Sequence, residues 1–468
     1  MGVAESKDND DHVEGSLFSA EEQIVIKHLH GKISATEDSF KNHLKLLNDK
    51  LAGNLVNYLS SLKPRPQKGV LFTYRQFHTL LSQIFRGNST DQSIAIRGLC
   101  SQNKEISSED LFQAVLQLVT AYREVTRNLP AWSKWTLDQE TEQHRKEFTF
   151  GILQELFDKG SSKKGPVPKA KVPEGVSYTE SDVEDLLHKS PLFIHVCDTV
   201  FTKLFPISTD ETLRMEKLCS SLPVPVTMVP HQTILDPYAM MFLNFNLPKD
   251  LQTEWRLVFS NSVFGDSFTQ LVAHMLNKGP SLLIVKDKTG HVFGGYATQK
   301  WQLNSKFYGS ADNFLFTLSP QYGIYTTTTY NSNYMYLNQG QQTLPNGLGM
   351  GGQFDYFGLW IDQSFNYGHS KAQPRCTTYA SPQLSGATEF EVVALEVWEV
   401  GPEPKADSDD EDDNEKKKKS VLDGNAEARA MLALIGKERV SEGYRDEEDD
   451  LEISEDMKRK MNVIPSLI

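Results

Sequence analysis

One stretch, Trp255–Trp301, constrains the fold of this 468-residue chain more than any other part of its sequence. Its first residues, Trp255–Ser260, alternate large apolar and polar side chains, which is typical of a half-buried β-strand. A turn at Gly265 separates this strand from a segment whose apolar residues recur at helical spacing. Lys278-Gly279-Pro280 ends that helix, because proline cannot continue it. A strand, a turn and a helix are therefore expected in close succession.

The second half of the same stretch predicts a β-hairpin. Ser281–Asp287 is apolar enough for a buried strand, Lys288-Thr289-Gly290 has the residues of a turn, and His291–Thr298 returns as the partner strand. Gly294 and Gly295 lie inside this second strand, where glycine usually marks a bulge or a close approach of two backbones. We expect this glycine pair and the Phe264-Gly265-Asp266 turn to shape a rigid binding surface.

The order of these features resembles the TLDc-domain family. The shared patterns are W-x-L-x-F-S, a glycine turn, GP-x-L-L-x-x-K-D and VFGG, and the closing strand EFEVVALEVWEV is similar to the family's terminal strand. The resemblance implies a domain over residues 231–400, built as a two-sheet antiparallel β-sandwich flanked by helices. The corresponding motif residues of this chain are Trp255, Gly265, Gly294, Gly295 and Trp398.

The composition restricts the class of protein. A formal net charge of −14 argues against nucleic acid or a bare anionic membrane as the principal partner, because both would repel an acidic chain. No segment reaches the roughly 20 apolar residues that span a bilayer, and no secretory signal opens the sequence. The four cysteines include no CxxC pair, which is typical of reduced thiols in a cytosolic protein.

The first residues fit a lipidation pattern. Gly2 is followed four positions later by Ser6, which matches the N-myristoylation motif. The stretch beyond Lys7 carries Asp8, Asp10, Asp11 and Glu14, and no cysteine precedes Cys100, so neither a polybasic patch nor a second lipid is expected nearby. One myristoyl chain gives only reversible membrane binding, with an association constant of about 10⁴ M⁻¹. Residues 1–17 are therefore expected to be a flexible acylated terminus whose second anchor is a protein; the alternative is an unmodified terminus.

Residues 18–158 have the apolar periodicity of helices, with Ser19 as the predicted N-cap of the first helix. Two connections resemble EF-hand loops, Leu99–Asp110 and Pro64–Arg75. Leu99 stands where the first acidic ligand belongs, and the second loop ends in arginine. Neither loop supplies the carboxylates that calcium needs. We predict an EF-hand-like helical domain that does not bind calcium.

Two further segments connect the helical domain to the sandwich. Residues 159–175 are a linker rich in Lys, Pro and Gly, and residues 176–230 are predicted to form bridging helices, with Thr179 as an N-cap. The apolar segment Pro191–Phe205 contains His195-Val-Cys197. This pair lacks the two further ligands that a zinc site requires, so we expect both side chains in a buried helix.

Two other groups of residues suggest chemistry. Residues Gly347–Gly352 satisfy GxGxxG, but an aromatic strand follows where a nucleotide-binding motif needs a helix. We therefore expect a glycine turn that packs backbone against backbone. His369, Ser370 and Cys376 have nucleophile-like side chains, yet no GxSxG elbow or Cys-His signature accompanies them. We predict no catalytic residue, no metal site and no cofactor.

The C-terminal part predicts a tethered helix. Residues 401–422 are an acidic and basic linker in which Ser408 is a candidate acidophilic-kinase site; an unmodified tether is the alternative. Residues 423–440 predict a helix that is apolar on nearly every face and must dock on something. It can dock on its own sandwich or in a groove of another protein, which the flexible tether favours. Its anchors would be Met431, Leu434 and Ile435. Residues 441–468 are expected to be a disordered tail.

Within the TLDc family, the stretch Tyr334–Asp362 is similar to a subgroup of mTOR-associated lysosomal proteins of animals. That resemblance implies a non-enzymatic adaptor that is cytoplasmic and peripheral on the lysosomal membrane through its myristate. Such an adaptor would bind the vacuolar proton-pumping ATPase and recruit the mTOR complex, which promotes mTOR signalling, proliferation and migration. The family's association with oxidative-stress protection leaves an alternative, a protein with enzymatic or redox activity.

Overall fold

The computed structural model describes residues 13, 15–34, 36–63, 71–158, 171–208, 210, 222–371 and 374–403. A helical first half precedes a β-rich second half, which gives the α+β class that the sequence predicts. Within these ranges, no helix is long and apolar enough to cross a membrane.

The first half consists of helices and one pair of very short strands. In chain order, its elements are α1 (Ala20–Ile33), α2 (Glu37–His43), α3 (Asp49–Ser61), α4 (Tyr74–Phe85), α5 (Ser89–Cys100), β1 (Ile106–Ser107), α6 (Ser108–Thr126), α7 (Pro130–Ser133), α8 (Glu142–Phe157), β2 (Ser177–Tyr178), α9 (Glu180–Lys189) and α10 (Pro191–Leu204).

Side-chain caps determine where several of these helices begin. Ser19 accepts the backbone N–H of Glu22, and the Glu22 carboxylate accepts the N–H of Ser19 in return, so the N-cap predicted for α1 is confirmed. Thr73 begins α4 with the same reciprocal arrangement, and Thr179 begins α9. Each such cap contributes about 1 kcal/mol to helix stability.

The second half is built mainly from strands. In chain order, its elements are β3 (Val224–Val226), α11 (Pro237–Asn246), a 3₁₀ turn (Lys249–Leu251), β4 (Glu254–Ser260), α12 (Asn261–Phe264), α13 (Phe268–Met275), β5 (Ser281–Asp287), β6 (Val292–Ala297), β7 (Phe314–Ser319), β8 (Gly323–Thr326), β9 (Tyr336–Asn338), β10 (Gly347–Gln353), β11 (Tyr356–Asp362), β12 (Tyr367–His369) and β13 (Glu389–Val400). The strand, helix and hairpin predicted over Trp255–Trp301 are confirmed as β4, α13 and the β5–β6 pair.

The long strand β13 connects the two layers of the β-structure. Its first residues, Glu389–Glu391, pair with β12, in the layer that continues through β11 and β10 to β9. Its later residues pair with β5 on one side and β4 on the other, in the layer that continues through β6 and β7 to β8. The pairing register with β5 shifts between Val392 and Ala394, a bulge of the kind that lets one strand pass between sheets. The pairs along this path are antiparallel, as predicted, whereas β3 pairs parallel with β4.

The layer around β5 is buried on both faces. Leu283 and Val285 pack in the core between the two layers, together with Leu348 and Leu359 from the opposite layer. Leu282 and its alternate neighbours point the other way, into a core that continues through the helical half. Because successive strand residues face opposite sides, this double burial explains why β5 is an almost unbroken apolar run.

Three tryptophans join the two halves of the chain. Trp135 follows α7, and its ring lies 5.1 Å from that of Trp398 in β13 and 5.9 Å from that of Trp255 in β4. Each indole N–H has a hydrogen-bond acceptor: Trp135 donates to the carbonyl of Pro223 and Trp255 donates to the side chain of Asn244. These partners offset the cost of burying the indole N–H groups. The two tryptophans of the TLDc motif are therefore core residues at the junction between the halves.

A buried carboxylate lies beside this aromatic cluster. The Glu396 side chain is 1% exposed, and its two oxygens accept four hydrogen bonds. The donors, at 2.7–3.0 Å, are His231 Nε2, Thr233 Oγ1, the backbone N–H of Ile234 and Trp398 Nε1. A buried charge is tolerated when every lone pair is used in this way. The contact fixes the segment before α11 against β13.

A second polar junction lies between α8 and α11. The Glu140 carboxylate accepts hydrogen bonds from the Tyr238 hydroxyl at 2.7 Å and from Arg123 Nε at 2.9 Å, and Arg145 lies 3.6 Å away. Burial by itself raises the pKa of this carboxyl group, but these hydrogen bonds and the two positive charges outweigh it and lower the pKa overall. Glu140 therefore stays ionised and holds α8 to the second half.

The predicted glycine pair is part of the interior. A Cβ atom on Gly294 would lie 1.9 Å from the backbone oxygen of Leu283, which confirms the expected close approach of two backbones. A Cβ atom on Gly295 would lie 2.4 Å from the sulfur of Met350, between the two layers. Because β6 is buried along its whole length, the expectation that this pair shapes a binding surface is wrong.

Replacing Glu396 by glutamine tests the buried carboxylate. The amide group would place an N–H₂ against donors that now point at an oxygen, so at least one buried donor would lose its acceptor. We expect the free energy of unfolding to fall by about 1–3 kcal/mol, measured as a lower urea midpoint at an unchanged slope. Glu391→Gln is the matched control in the same strand, because the Lys288–Glu391 pair is exposed and solvent screens it. Equal urea midpoints for both variants would contradict a stabilising role of the buried Glu396 carboxylate.

A glycine-to-alanine pair tests the close approach in β6. We expect Gly294→Ala to destabilise the protein by about 1–3 kcal/mol or more, because its methyl group would push β5 and β6 apart. Gly53→Ala in α3 is the control: no atom lies within 4 Å of the added Cβ, so alanine is expected to stabilise the helix by about 0.5–1 kcal/mol. Thermal unfolding followed by tryptophan fluorescence measures both shifts, and a neutral Gly294→Ala would show that the strands can separate freely.

Candidate functional site

The three nucleophile-like side chains predicted from the sequence each make contacts that stabilise the fold. The Ser370 hydroxyl is fully buried, donates to the carbonyl of Gly358 at 2.7 Å and accepts the N–H of Leu384 at 3.0 Å. The His369 ring stacks on Trp360, on the outer face of the layer. Neither arrangement gives a serine whose proton a histidine can accept.

The electrostatics of the two titratable members also oppose nucleophilic chemistry. Burial lowers the pKa of His369 to about 4, with a further contribution from the nearby charge of Lys371. Burial raises the pKa of the Cys376 thiol above its ordinary value, despite hydrogen bonds from neighbouring backbone groups. A reactive cysteine needs the opposite shift, toward the thiolate. Cys376 instead packs in the core between the layers.

The GxGxxG segment forms strand β10, which pairs with β9 on one side and β11 on the other. The expected turn is therefore wrong for Gly347 and Gly349, although the expectation of close backbone packing is confirmed. A Cβ atom on Gly347 would meet Trp360 and the backbone of Ile361, and one on Gly349 would meet Phe357, at 2.4–2.6 Å. The glycines let aromatic rings lie on the strand. A strand, and not a helix N-terminus, follows them, so a phosphate-binding geometry is absent from this described segment.

His195 and Cys197 lie in α10, as predicted. Burial lowers the pKa of His195 to about 4 and raises the pKa of Cys197. The His195 ring contacts Tyr122 of α6 at the distance of a long hydrogen bond, 3.4 Å. Among the residues that the structure describes, no group of three His, Cys, Asp or Glu side chains is placed to hold a metal ion.

In the first EF-hand-like loop, Leu99–Asp110, backbone and side-chain groups contact other parts of the protein. Ile106 and Ser107 form β1, which pairs antiparallel with Tyr178 and Ser177 of β2. Asp110, at the last ligand position, accepts hydrogen bonds from Lys50 Nζ and from the Ser107 hydroxyl, and these contacts lower its pKa. The second candidate loop, Pro64–Arg75, is described only from Leu71. The EF-hand-like interpretation of the helical half stays a prediction.

Of the TLDc motif residues, only Gly265 lies at the surface. It ends α12 with φ +83°, a left-handed conformation that favours glycine, and open space surrounds its Cβ position. The remaining sequence-predicted positions lie outside the described residues, so their roles stay predictions. They are Gly2, Ser408, Met431, Leu434 and Ile435.

A groove that the sequence did not indicate lies where the two halves meet. We call it the junction groove. It has a volume of about 390 Å³ and runs between α8, the α9–α10 connection, the end of α11 and strand β8. Its apolar lining includes the partly exposed residues Phe245, Ile324 and Tyr325 and the buried residues Leu156, Leu186 and Leu192.

Charged side chains and a sheet edge also line the junction groove. Its lining includes Glu155, Asp158 and Asp185 together with Lys189, whose ammonium lies 3.9 Å from Glu155. Strand β8 pairs with β7 alone among the described strands, so the backbone on its other side is an unused edge. Helix α8 approaches Tyr322 closely in this groove, because a Cβ atom on Gly151 would lie 2.6 Å from that of Tyr322.

Comparison with known proteins identifies the family of this fold. Residues 228–401 match the family model for the TLDc domain. The chain is 35% identical to MTOR-associated protein MEAK7 of Gallus gallus, over 96% of this chain and 100% of that protein. It is 38% identical to the protein of the same name from Xenopus laevis, over 80% of this chain and 81% of that one. The human protein of that name is 36% identical over 80% of each chain.

These matches extend through the helical half as well as the sandwich, because they cover far more of the chain than the TLDc segment alone. They agree with the motif order around Trp255 and with the closing strand that carries Trp398. The chain belongs to the TLDc-domain family, with the MEAK7 proteins as its full-length relatives.

Proposed function

We propose that this chain is a non-enzymatic adaptor that associates with mTOR. The observation that carries the proposal is the full-length similarity to proteins named as mTOR-associated, at 35% identity over 96% of the chain. The buried Ser370 hydroxyl, the buried Cys376 thiol with its raised pKa and the half-buried His369 ring stacked on Trp360 support a non-catalytic function. The interaction would recruit mTOR and promote signalling, proliferation and migration.

The proposed place of action is the cytoplasmic face of the lysosome, with the vacuolar proton-pumping ATPase as the docking partner. Three contacts would hold the adaptor there: acylated Gly2 on the membrane, the TLDc surface on the ATPase, and residues 423–440 on a second ATPase subunit. The sequence pattern at Gly2 and the apolar segment 423–440 support this arrangement. An EF-hand-like helical half that does not bind calcium would complete the adaptor.

Loss of the acylation site tests the membrane contact. We expect Gly2→Ala to release only part of the protein from lysosomes, because one myristoyl chain binds a bilayer with about 10⁴ M⁻¹ and the ATPase contact persists. The measurement is the fraction of protein that sediments with purified lysosomal membranes, together with the amount of ATPase that co-purifies. Glu5→Gln, which keeps Gly2 and Ser6, is the control. Complete release would show that the lipid is the dominant anchor.

Loss of the C-terminal segment tests the third contact. We expect deletion of residues 423–440 to weaken co-purification of the ATPase from lysosomal membranes, because Met431, Leu434 and Ile435 would no longer reach a groove on the partner. A Gly/Ser segment of equal length is the matched control for tether length and should give the same loss. Unchanged co-purification would contradict a contact between this segment and the ATPase.

A further inference from the structure

A buried carboxyl group in α8 lacks a cationic partner. Glu147 is 5% exposed, and its carboxyl group accepts hydrogen bonds from two neutral groups, the Gln143 amide at 2.8 Å and the Ser319 hydroxyl. Within the described ranges, no lysine or arginine lies within ion-pair distance of this carboxyl group. Burying a carboxylate without a cation is costly, and a bound proton removes that cost.

A second buried carboxyl group, at the start of α11, faces the same interior. Asp236 Oδ1 accepts the backbone N–H groups of Tyr238 and Ala239, at 2.7 and 3.1 Å. Asp236 Oδ2 lies 3.6 Å from Nδ1 of His144 in α8, which is too far for a hydrogen bond. That Nδ1 atom is buried and has no hydrogen-bond partner in the described part of the chain. The His144 ring interacts electrostatically with both carboxyl groups, so two acids share one imidazole.

The neighbouring charged groups do not supply the missing cation. Asp138 adds a further negative charge near Asp236, and its own ion-pair partner is Lys286 of β5, 3.4 Å away. Tyr322, in the connection between β7 and β8, is fully buried near both carboxyl groups. Burial and the negative charges of these groups raise the pKa of its hydroxyl well above the usual value, so Tyr322 stays neutral.

The two guanidinium groups in this region belong to another acid. Arg123 and Arg145 both pair with Glu140, which also accepts the hydroxyl of Tyr238. Glu140 is therefore a buried acid with two cations, whereas Glu147 and Asp236 have one imidazole between them. The two sites differ in charge balance although they lie at the same junction.

The electrostatics of the pair follow from this imbalance. Burial raises the pKa of Glu147, and the negative charge of Asp236 adds to the rise against the opposing hydrogen bonds and His144. Burial also raises the pKa of Asp236, with a further contribution from Asp138. Because ionisation of one member disfavours ionisation of the other, the proton is bound by the pair and not by a single residue.

We propose that Glu147 and Asp236, together with His144, form a proton-binding site that links the packing of α8 on the second half to pH. With a proton on the pair, one buried negative charge lies beside the imidazole. Without it, two negative charges share one interior, repel each other and draw in water. Loss of the proton therefore loosens α8 from α11 and from the β7–β8 connection. These elements also form walls of the junction groove, so the shape of that groove depends on the same proton.

The pH dependence of stability tests the site in the full chain. A carboxyl group whose pKa is raised by folding stabilises the protein below its unfolded pKa, about 4.3 for glutamate. That contribution is lost as the pH rises to the folded pKa. Between the two values, we expect the wild-type ratio of folded to unfolded protein to fall about tenfold per pH unit relative to Glu147→Gln, because the amide has no proton to lose. Urea unfolding at a series of pH values measures this ratio.

Two further variants separate proton release from general destabilisation. Glu140→Gln makes the same substitution at an acid that its cations keep ionised, so its effect relative to wild type should be constant above about pH 5. Asp236→Asn keeps a good N-cap residue for α11 and should give the same pH-dependent ratio as Glu147→Gln. It also keeps the test decisive if Glu147→Gln does not fold. No variant or measurement involves the ATPase or mTOR, so this inference goes beyond the proposed function and fails independently of it.

Infrared spectroscopy detects the proton itself. At about pH 6, exposed carboxyl groups are ionised, so the C=O stretching band of a protonated carboxyl group reports buried ones. We expect this band in wild type and in Glu140→Gln, and its loss in Glu147→Gln and in Asp236→Asn. A ratio to wild type that does not change with pH in either site variant would overturn the proposal. An infrared band that survives both site substitutions, or that is missing from wild type, would overturn it as well.

Discussion

The Glu396 carboxylate is the contact on which the arrangement of the two halves depends. It lies in β13, the strand that both layers of the sandwich share, and its donors include the segment from His231 to Ile234. That same segment pairs with the helical half between α7 and α8, where the backbone N–H of Thr233 donates to the carbonyl of Thr136. Since leaving a buried charge unpaired costs several kcal/mol, the geometry of all four donors is tightly specified. One buried charge therefore orients the helical half against both sheets.

The apolar contacts around this charge make the junction a continuous core. Trp135 packs on Trp255 and Trp398, and the same core continues from the outer face of β5 into the helices. A core that is continuous across a junction favours fixed relative positions of the two parts. The proposed adaptor would thus present the surfaces of both halves in one fixed arrangement.

The sequence predicted what local chemistry decides. The capping box at Ser19, the end of α13 before Gly279-Pro280 and the β5–β6 hairpin all depend on residues a few positions apart. The errors arose where distant residues decide. Gly347 and Gly349 lie in a strand, and the rings of Trp360 and Phe357 occupy the space that their side chains would otherwise fill. The continuous apolar run of β5 indicates a strand that is covered on both faces, and β6, which pairs with β5, is covered in the same way.

The junction groove shows why the rest could not be predicted. Its walls come from α8, α11 and β8, which no periodicity or spacing relates to one another.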